Sequence, residues 1–141
     1  MPYKFIEGLT TADVAFEARG KTLDELFESA ALAVFDIMAN PKKVKKKITK
    51  KFSLKENNLE NLMFKFLDEI IFLKDSDALV FNSCNVQINK NKELKLAAAL
   101  FGDRINYKKQ ELRVDPKAVT MHKFEVKKTK TSYIARVIVD I

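Results

Sequence analysis

The chain has 141 residues, of which 47% are hydrophobic and 32% charged, with only three glycines and three prolines. Its length is that of one domain, and its composition excludes a disordered or low-complexity protein. No apolar run reaches the ~20 residues of a membrane span, the opening segment MPYKFIEG does not resemble a signal peptide, and a single cysteine cannot form an internal disulfide. We therefore expect one domain over residues 1–141, in the cytoplasm and without contact to a membrane.

The net charge of +7 is concentrated in two basic segments. Eight lysines lie between Pro41 and Lys55, and eight further basic residues lie between Lys108 and Lys130. Such a charge attracts polyanions, so we expect the basic surface to meet nucleic acid or an acidic protein surface. The alternative is that the lysines serve solubility alone, because arginine and interleaved aromatic residues, which base contacts usually need, are scarce.

The first predicted elements are a strand and a helix. Residues 13–19 alternate between apolar and polar side chains, which predicts a half-buried strand that ends at Gly20. The segment from Thr22 to Glu25 is a capping box, and apolar side chains then recur at three- and four-residue spacing to about residue 39. This periodicity predicts a helix that ends before Pro41.

A second strand and a second helix follow. From Val44 to Lys55 the apolar period is two, so most of the lysines are expected on the solvent face of a strand. Asn57 or Asn58 can cap a helix whose apolar stripe runs from Leu59 to Leu73. We expect both helices to pack on the same face of a sheet.

The remainder of the chain predicts strands around an irregular stretch from Arg104 to Pro116. The strands are Leu79 to Ile88, Leu94 to Phe101, Ala118 to Lys127 and Tyr133 to Ile141. The last strand is apolar almost throughout, which favours a central position. The predicted fold class is α+β, with two helices packed on one face of a six- to seven-stranded, mostly antiparallel or mixed sheet.

Several kinds of active site are excluded by the residues present. Neither a GxxxxGKS/T nor a GxGxxG nucleotide-binding loop occurs, and one cysteine with one histidine cannot supply a usual zinc site. Cys84 lies in an apolar strand pattern, which indicates a small buried side chain rather than a nucleophile. His122 has no GxSxG turn to complete a serine triad, and a histidine on a strand is more often structural.

Two carboxylates near the chain ends are the remaining candidates for chemistry. Asp13 opens the first predicted strand, and Asp140 precedes Ile141 in the last. If these two strands are neighbours, the carboxylates form an oxygen-rich site of the kind that hard cations bind. The alternative is structural, with Asp13 capping a strand and Asp140 solvated.

Several segments resemble the sequence signature of the archease family. They are Thr11-Ala12-Asp13-Val14, then Gly20-Lys21-Thr22-Leu23-Asp24-Glu25-Leu26-Phe27, Ala30-Ala31-Leu32-Ala33-Val34-Phe35-Asp36, Lys117-Ala118-Val119-Thr120-Met121-His122 and Val139-Asp140-Ile141. The motifs occur in the family's order and cover essentially the whole chain.

This resemblance implies a non-catalytic protein cofactor of an RtcB-type RNA ligase, which joins tRNA exon halves and repairs cleaved RNA. The ligase itself uses GTP and manganese, and archeases promote its guanylylation and multiple turnover. The resemblance also implies a divalent metal ion, Ca²⁺ or Mg²⁺/Mn²⁺, held by Asp13, Asp140 and a main-chain oxygen of Ile141. Lys117, His122 and Asn40 would be accessory functional residues.

The sequence departs from the family pattern at two positions. Thr10 stands where the family usually has histidine, and Asn40 stands where it often has aspartate. Asn40 still offers a carbonyl oxygen but no charge, so we expect weaker metal affinity. Two other function classes remain, a chaperone-like module that binds nucleic acid or protein without activating a ligase, and a metal-dependent hydrolase.

Overall fold

Two helices and seven strands make up the part of the chain that the structure, a computed structural model, describes, namely residues 2–7 and 13–141. In chain order the elements are β1 (Tyr3–Ile6), β2 (Val14–Gly20), α1 (Leu23–Met38), a 3₁₀ turn (Pro41–Lys43), β3 (Ile48–Glu56), α2 (Leu59–Asp77), β4 (Leu79–Lys90), β5 (Leu94–Arg104), β6 (Ala118–Lys128) and β7 (Tyr133–Asp140). The strands form two antiparallel sheets, ordered β1-β2-β7-β6 and β3-β5-β4. The predicted α+β class is confirmed, and β7 has the predicted central position.

The boundaries of several elements differ from their predicted positions, those of β3 and α2 by four residues. β3 begins at Ile48 rather than Val44, because the amide of Val44 bonds to the carbonyl of Pro41 at 3.3 Å and so closes the 3₁₀ turn. α2 continues past Leu73 to Asp77, and Lys74 in this extra turn is buried. β1 lies outside the predicted elements, because four residues are too few to show an apolar period and the strand forms by pairing with β2.

Helix α1 joins the two sheets. It packs against β2 of the four-stranded sheet and against β4 of the three-stranded sheet. Its carboxylates at Asp24 and Glu28 each accept a hydrogen bond of 2.9 Å, from the amides of Ile88 and Val86 respectively. Since β4 is an edge strand, these amides would otherwise lack a partner in the sheet.

The turn between β2 and α1 requires a residue without a side chain. A Cβ atom on Gly20 would lie 2.3 Å from the amide nitrogen of Leu26, which is closer than side-chain atoms can approach a backbone. Gly20 therefore lets the start of α1 fold back directly onto β2.

The core is an aromatic and aliphatic cluster between the helices and both sheets. Phe66 on α2 packs against Phe27 on α1, with ring centroids 5.6 Å apart, and against Phe52 on β3 at 6.0 Å. Phe27, Val34, Phe66 and Ile70, on the apolar stripes of the two helices, are all fully buried. Phe66 thus connects three elements through one side chain.

Replacing Phe66 by alanine should lower the free energy of unfolding by about 3–5 kcal/mol, because it removes a fully buried ring and leaves a cavity. Urea unfolding followed by circular dichroism measures this change. Phe72→Ala on the same helix is the control, since the Phe72 side chain is 57% exposed and should cost far less. A loss below ~1 kcal/mol for Phe66→Ala would remove Phe66 from the energetically important core.

Glu17 on β2 is a buried carboxylate held by three cations. Its side chain is 3% exposed and lies 3.1 Å from Arg136 on β7, 3.3 Å from Arg19 and 3.5 Å from Lys4 on β1. Burial alone would raise the pKa of Glu17, but the hydrogen bond from Arg136 and the charges of Arg19 and Lys4 outweigh burial and lower the pKa. These ion pairs tie the three strands β1, β2 and β7 together.

Glu17→Gln should lower the free energy of unfolding near pH 7 by about 1–2 kcal/mol, because half-exposed cations lose an ionised partner. The lowered pKa means that ionised Glu17 stabilises the folded state at neutral pH, and this contribution disappears as the pH falls through the lowered pKa. The difference between variant and wild type should therefore shrink as the pH falls below the ordinary pKa of a glutamate and through the lowered one. Denaturant unfolding across a pH series measures it, and a difference that is constant with pH would contradict the assignment.

Candidate functional site

Asp13 and Asp140 lie at the same end of the four-stranded sheet, beside the start of β2 and at the end of β7. The two strands are antiparallel neighbours, and Val14 is paired with Val139. Asp13 and Asp140 are the next residues beyond this pair, and both are partly exposed. Ile141 follows Asp140 directly, so the three residues of the predicted metal site come from one end of one sheet.

Lys117 reaches the same end of the sheet from β6. Its amide donates a 2.7 Å hydrogen bond to the carbonyl of Asp140, and the next residue, Ala118, is paired with Asp140 in the ladder. The Lys117 side chain is exposed. The sheet therefore places a solvent-accessible ammonium group on the strand next to Asp140.

The other two predicted accessory residues have different surroundings. Asn40 follows α1, and its side-chain oxygen accepts a 3.1 Å hydrogen bond from the amide of Lys42, so it caps the 3₁₀ turn. His122 lies in an irregular part of β6, between the pairs Thr120 with Ile138 and Glu125 with Arg136, and is exposed. The ladder therefore separates His122 from the end of the sheet that holds Lys117.

Three motif positions, Thr10, Thr11 and Ala12, lie outside the described residues. Among residues 2–7 and 13–141, no three side chains of histidine, cysteine, aspartate or glutamate converge into a metal-binding group. The predicted ligand set contains only two such side chains and relies on a main-chain oxygen for the third ligand. The donors are all oxygens, which is the chemistry that hard divalent cations prefer.

The surroundings of Cys84 are those of a structural, unreactive thiol. Its side chain is half-buried and packs against the core. Burial, with a contribution from the charge of Glu28, raises the pKa of the thiol to about 12. At neutral pH the group is therefore a protonated apolar side chain, which agrees with its predicted structural role.

The connection between β5 and β6, residues 105–117, is fastened to the end of α1. The amides of Arg113 and Val114 donate hydrogen bonds of 2.9 and 3.0 Å to the carbonyls of Met38 and Ile37. These carbonyls belong to the last turn of the helix, which has no partners of its own for them. An irregular segment thus completes the helix end next to Asn40.

Asp36 is the centre of a polar cluster that the sequence does not predict. Its carboxylate accepts a 2.9 Å hydrogen bond from the hydroxyl of Tyr3 and is paired with the guanidinium of Arg113, which also lies 3.1 Å from Glu111. Burial and the Asp36 hydrogen bond raise the pKa of Tyr3 to about 12. The sequence signal for this cluster is weak, since it consists of one aspartate on an apolar helix and one arginine in a loop.

Lys74 anchors the last part of the same connection. Its ammonium group is 7% exposed, pairs with Asp115 and with Asp75 at 2.8 Å, and donates a 2.9 Å hydrogen bond to the carbonyl of Pro116. Burial lowers the pKa of Lys74, but the hydrogen bonds to Asp115 and Asp75 outweigh it and raise the pKa overall. Lys74 therefore fixes the backbone immediately before Lys117.

Lys74→Met should free residues 115–117 while leaving the core intact, because methionine keeps the apolar stem but loses the ion pair with Asp115 and the hydrogen bond to Pro116. We expect faster amide hydrogen exchange at Lys117 and a loss of about 1–3 kcal/mol in the free energy of unfolding. Lys65→Met is the matched control, since Lys65 lies on the same helix with a half-exposed ion pair to Glu56. Unchanged exchange at Lys117 in Lys74→Met would show that the buried lysine does not anchor this segment.

Neither helix in the described part of the chain has the length and hydrophobicity that a bilayer span requires.

The chain is similar to known proteins in both sequence and fold. The sequence profile of the archease protein family matches residues 3–141. The chain is 36% identical to the archease of Sulfolobus acidocaldarius, covering 93% of this chain and 94% of the relative, and 39% identical to that of Thermococcus kodakarensis, covering 84% of each. The solution structure of protein 1598 of Methanobacterium thermoautotrophicum has a TM-score of 0.82 at 29% identity and covers 99% of both chains. An archease of Thermotoga maritima, described as a possible chaperone, shares the fold with a TM-score of 0.62 at 21% identity, covering 94% of this chain and 93% of that one. The chain belongs to the archease family.

Proposed function

We propose that this archease is a non-catalytic activator of a cytoplasmic RtcB-type RNA ligase and promotes the ligase's guanylylation by GTP and its multiple turnover. The observation that carries the proposal is the pairing of β2 with β7, which sets Asp13 and Asp140 at one exposed edge beside Lys117. The Thermotoga maritima archease is described as a possible chaperone, which is a role that acts on another protein.

The proposal includes a divalent cation, Ca²⁺ or Mg²⁺/Mn²⁺, at this edge. The carboxylates of Asp13 and Asp140 and a main-chain oxygen of Ile141 would hold it, and this donor set fits a hard cation. Two neighbouring carboxylates repel each other when both are ionised, so a cation there relieves an unfavourable charge pair. When bound, the cation would supply positive charge and free coordination positions for oxygen ligands of a partner.

Lys117 would contact the partner next to the cation. The backbone of Lys117 is fixed on one side by the carbonyl of Asp140 and on the other through Pro116, which Lys74 holds. Its exposed ammonium group is a compact charge of the type that binds phosphate oxygens. His122 and Asn40 would act as accessory residues, His122 from the surface of β6 and Asn40 by shaping the end of α1.

A second candidate function is a chaperone-like module that binds proteins without activating a ligase. Exposed apolar side chains favour it, since Phe72 on α2 is 57% exposed and Met121 on β6 is 54% exposed. Scattered exposed apolar residues are also common in monomeric proteins. Ligase activation is therefore the function that the site supports best.

Asp13→Asn and Asp140→Asn should each reduce stimulation of the cognate ligase by more than about tenfold, because each removes an ionised metal ligand. The assay measures formation of guanylylated ligase from labelled GTP with manganese, with and without this protein. Asp68→Asn is the control, since Asp68 is an exposed aspartate on α2. Calorimetric titration with Ca²⁺ and Mn²⁺ should show weakened binding in the same two variants, and their circular dichroism should be unchanged.

Full stimulation by both variants would exclude this edge as the activating site. Absence of stimulation by the wild-type protein, together with suppression of aggregation of a client protein, would favour the chaperone-like function instead.

A further inference from the structure

A basic cleft lies at the opposite end of the four-stranded sheet from Asp13 and Asp140. Gly20 is paired with Tyr133 at this end, whereas Val14 is paired with Val139 at the other. The separation along a strand of this length is about 20 Å. The cleft has a volume of about 1060 Å³ and lies between the start of α1, the ends of β3 and β4, and the start of β5 and of β7.

Four exposed lysines line this cleft, and they are Lys21, Lys55, Lys90 and Lys95. Lys55 and Lys95 are directly opposed in the β3–β5 ladder, an arrangement that like charges make unfavourable. Within the described part of the chain, none of the four forms an ion pair. The acidic residue that lines the cleft, Asp24, already accepts the hydrogen bond from Ile88. The cleft therefore holds a concentrated positive charge with little internal neutralisation.

The outer face of the three-stranded sheet extends the cleft with neutral hydrogen-bonding groups. The ladder aligns Ser53, Ala97 and Gln87 in one row across the sheet, next to the row that contains Lys55 and Lys95. Because alanines occupy the central strand, the face is lower in the middle, and a shallow groove of about 470 Å³ runs along it past Lys51 and Asn85. The lysines thus continue into a track of hydroxyl and amide groups.

Tyr133 adds an aromatic ring to the wall of the cleft. The ammonium groups of Lys90 and Lys128 lie 5.6 and 5.8 Å from the centre of this ring. A positively charged groove combined with an aromatic platform is the usual means by which proteins bind single-stranded nucleic acid without strict sequence preference.

We infer that the cleft and the groove bind a single-stranded nucleic acid, with phosphates at Lys21, Lys55 and Lys95 and a base stacked on Tyr133. Ser53 and Gln87 donate to phosphate or sugar oxygens along the track. A free nucleotide is a poorer occupant, because the site is an open groove rather than an enclosed pocket. An acidic peptide would satisfy the lysines but would leave the aromatic platform without a stacking partner.

The test uses a fluorescein-labelled oligouridylate, which stays single-stranded because uridines do not pair stably with one another. Fluorescence anisotropy gives the Kd at each concentration in a potassium chloride series. The double variant Lys55→Gln/Lys95→Gln should bind at least about tenfold more weakly at low salt, and the slope of log Kd against log salt should fall by about 1.4. Lys45→Gln/Lys47→Gln is the matched control, since it removes two exposed lysines that lie before β3 and outside the cleft. We expect the control to bind within threefold of wild type.

Tyr133→Leu separates stacking from charge. It retains an apolar side chain but removes the ring, so binding should weaken about tenfold with no change in the salt slope. Repeating the titration with oligodeoxythymidylate tests whether the protein contacts the ribose. Binding of either oligonucleotide through these residues supports the inference. Tighter binding of the RNA would indicate contacts to the 2′-hydroxyl group.

Three outcomes would overturn the inference. One is equal loss of binding in the cleft variant and in the Lys45/Lys47 control, which would mean diffuse charge attraction. Another is an unchanged Kd in Tyr133→Leu, and the third is displacement of the oligonucleotide by polyglutamate at equal charge concentration.

Thermal unfolding of each variant checks that it is folded. Removing the Lys55–Lys95 repulsion should leave the thermal stability equal to that of the wild type or higher. Guanylylation of the ligase needs no RNA strand, so that assay can fail or succeed independently of this one.

Discussion

The arrangement of this archease depends on one helix that two sheets share. The sheets are not joined to each other by strand pairing; instead α1 packs against β2 on one side and binds the edge of β4 on the other. The acidic residues Asp24 and Glu28 are four apart, so both lie on one side of the helix, and the amides of Ile88 and Val86 are two apart, so both face out of the same strand edge. Helix and strand periodicities match at this contact, which fixes the rotation of α1 relative to both sheets. Everything attached to either end of α1 is positioned as a result.

The positions of the two proposed functional surfaces follow from that placement. Because α1 runs back along β2, its last turn lies at the end of the sheet where Asp13 and Asp140 emerge, and its first turn lies beside the basic cleft. The connection 105–117 then closes over the last turn through Asp36, Arg113 and Lys74. The proposed cation site and the proposed nucleic-acid site would therefore be separated by the length of one helix, so that their opposite charges would not neutralise each other.

The sequence predicts the elements better than their assembly. Capping boxes and apolar periods are local signals, and they place α1 and the start of α2 at the correct residues. The division of the strands into two sheets depends on long-range pairing, and the apolar pattern of a single strand does not show which strand it pairs with. The same holds for the site. Motif resemblance singles out Asp13, Asp140 and Lys117 as candidates, whereas the contacts of Lys74 and Asp36 are with partners 41 and 77 residues away and have no local pattern. A buried lysine near a helix end looks, from sequence alone, like an ordinary C-terminal cation.

The irregularity in β6 has a consequence for how molecules of this protein meet. β6 is an outer strand of its sheet, and between Thr120 and Glu125 it departs from the ladder, with Lys123 in the left-handed conformation at a φ of 53°. A strand so interrupted offers no continuous row of amides and carbonyls to a strand of a neighbouring molecule, and the opposite outer strand, β1, has only four residues. Addition of a foreign β-strand is thereby disfavoured at both margins of this sheet. These two outer strands therefore offer little template for the stacking of molecules into fibrils.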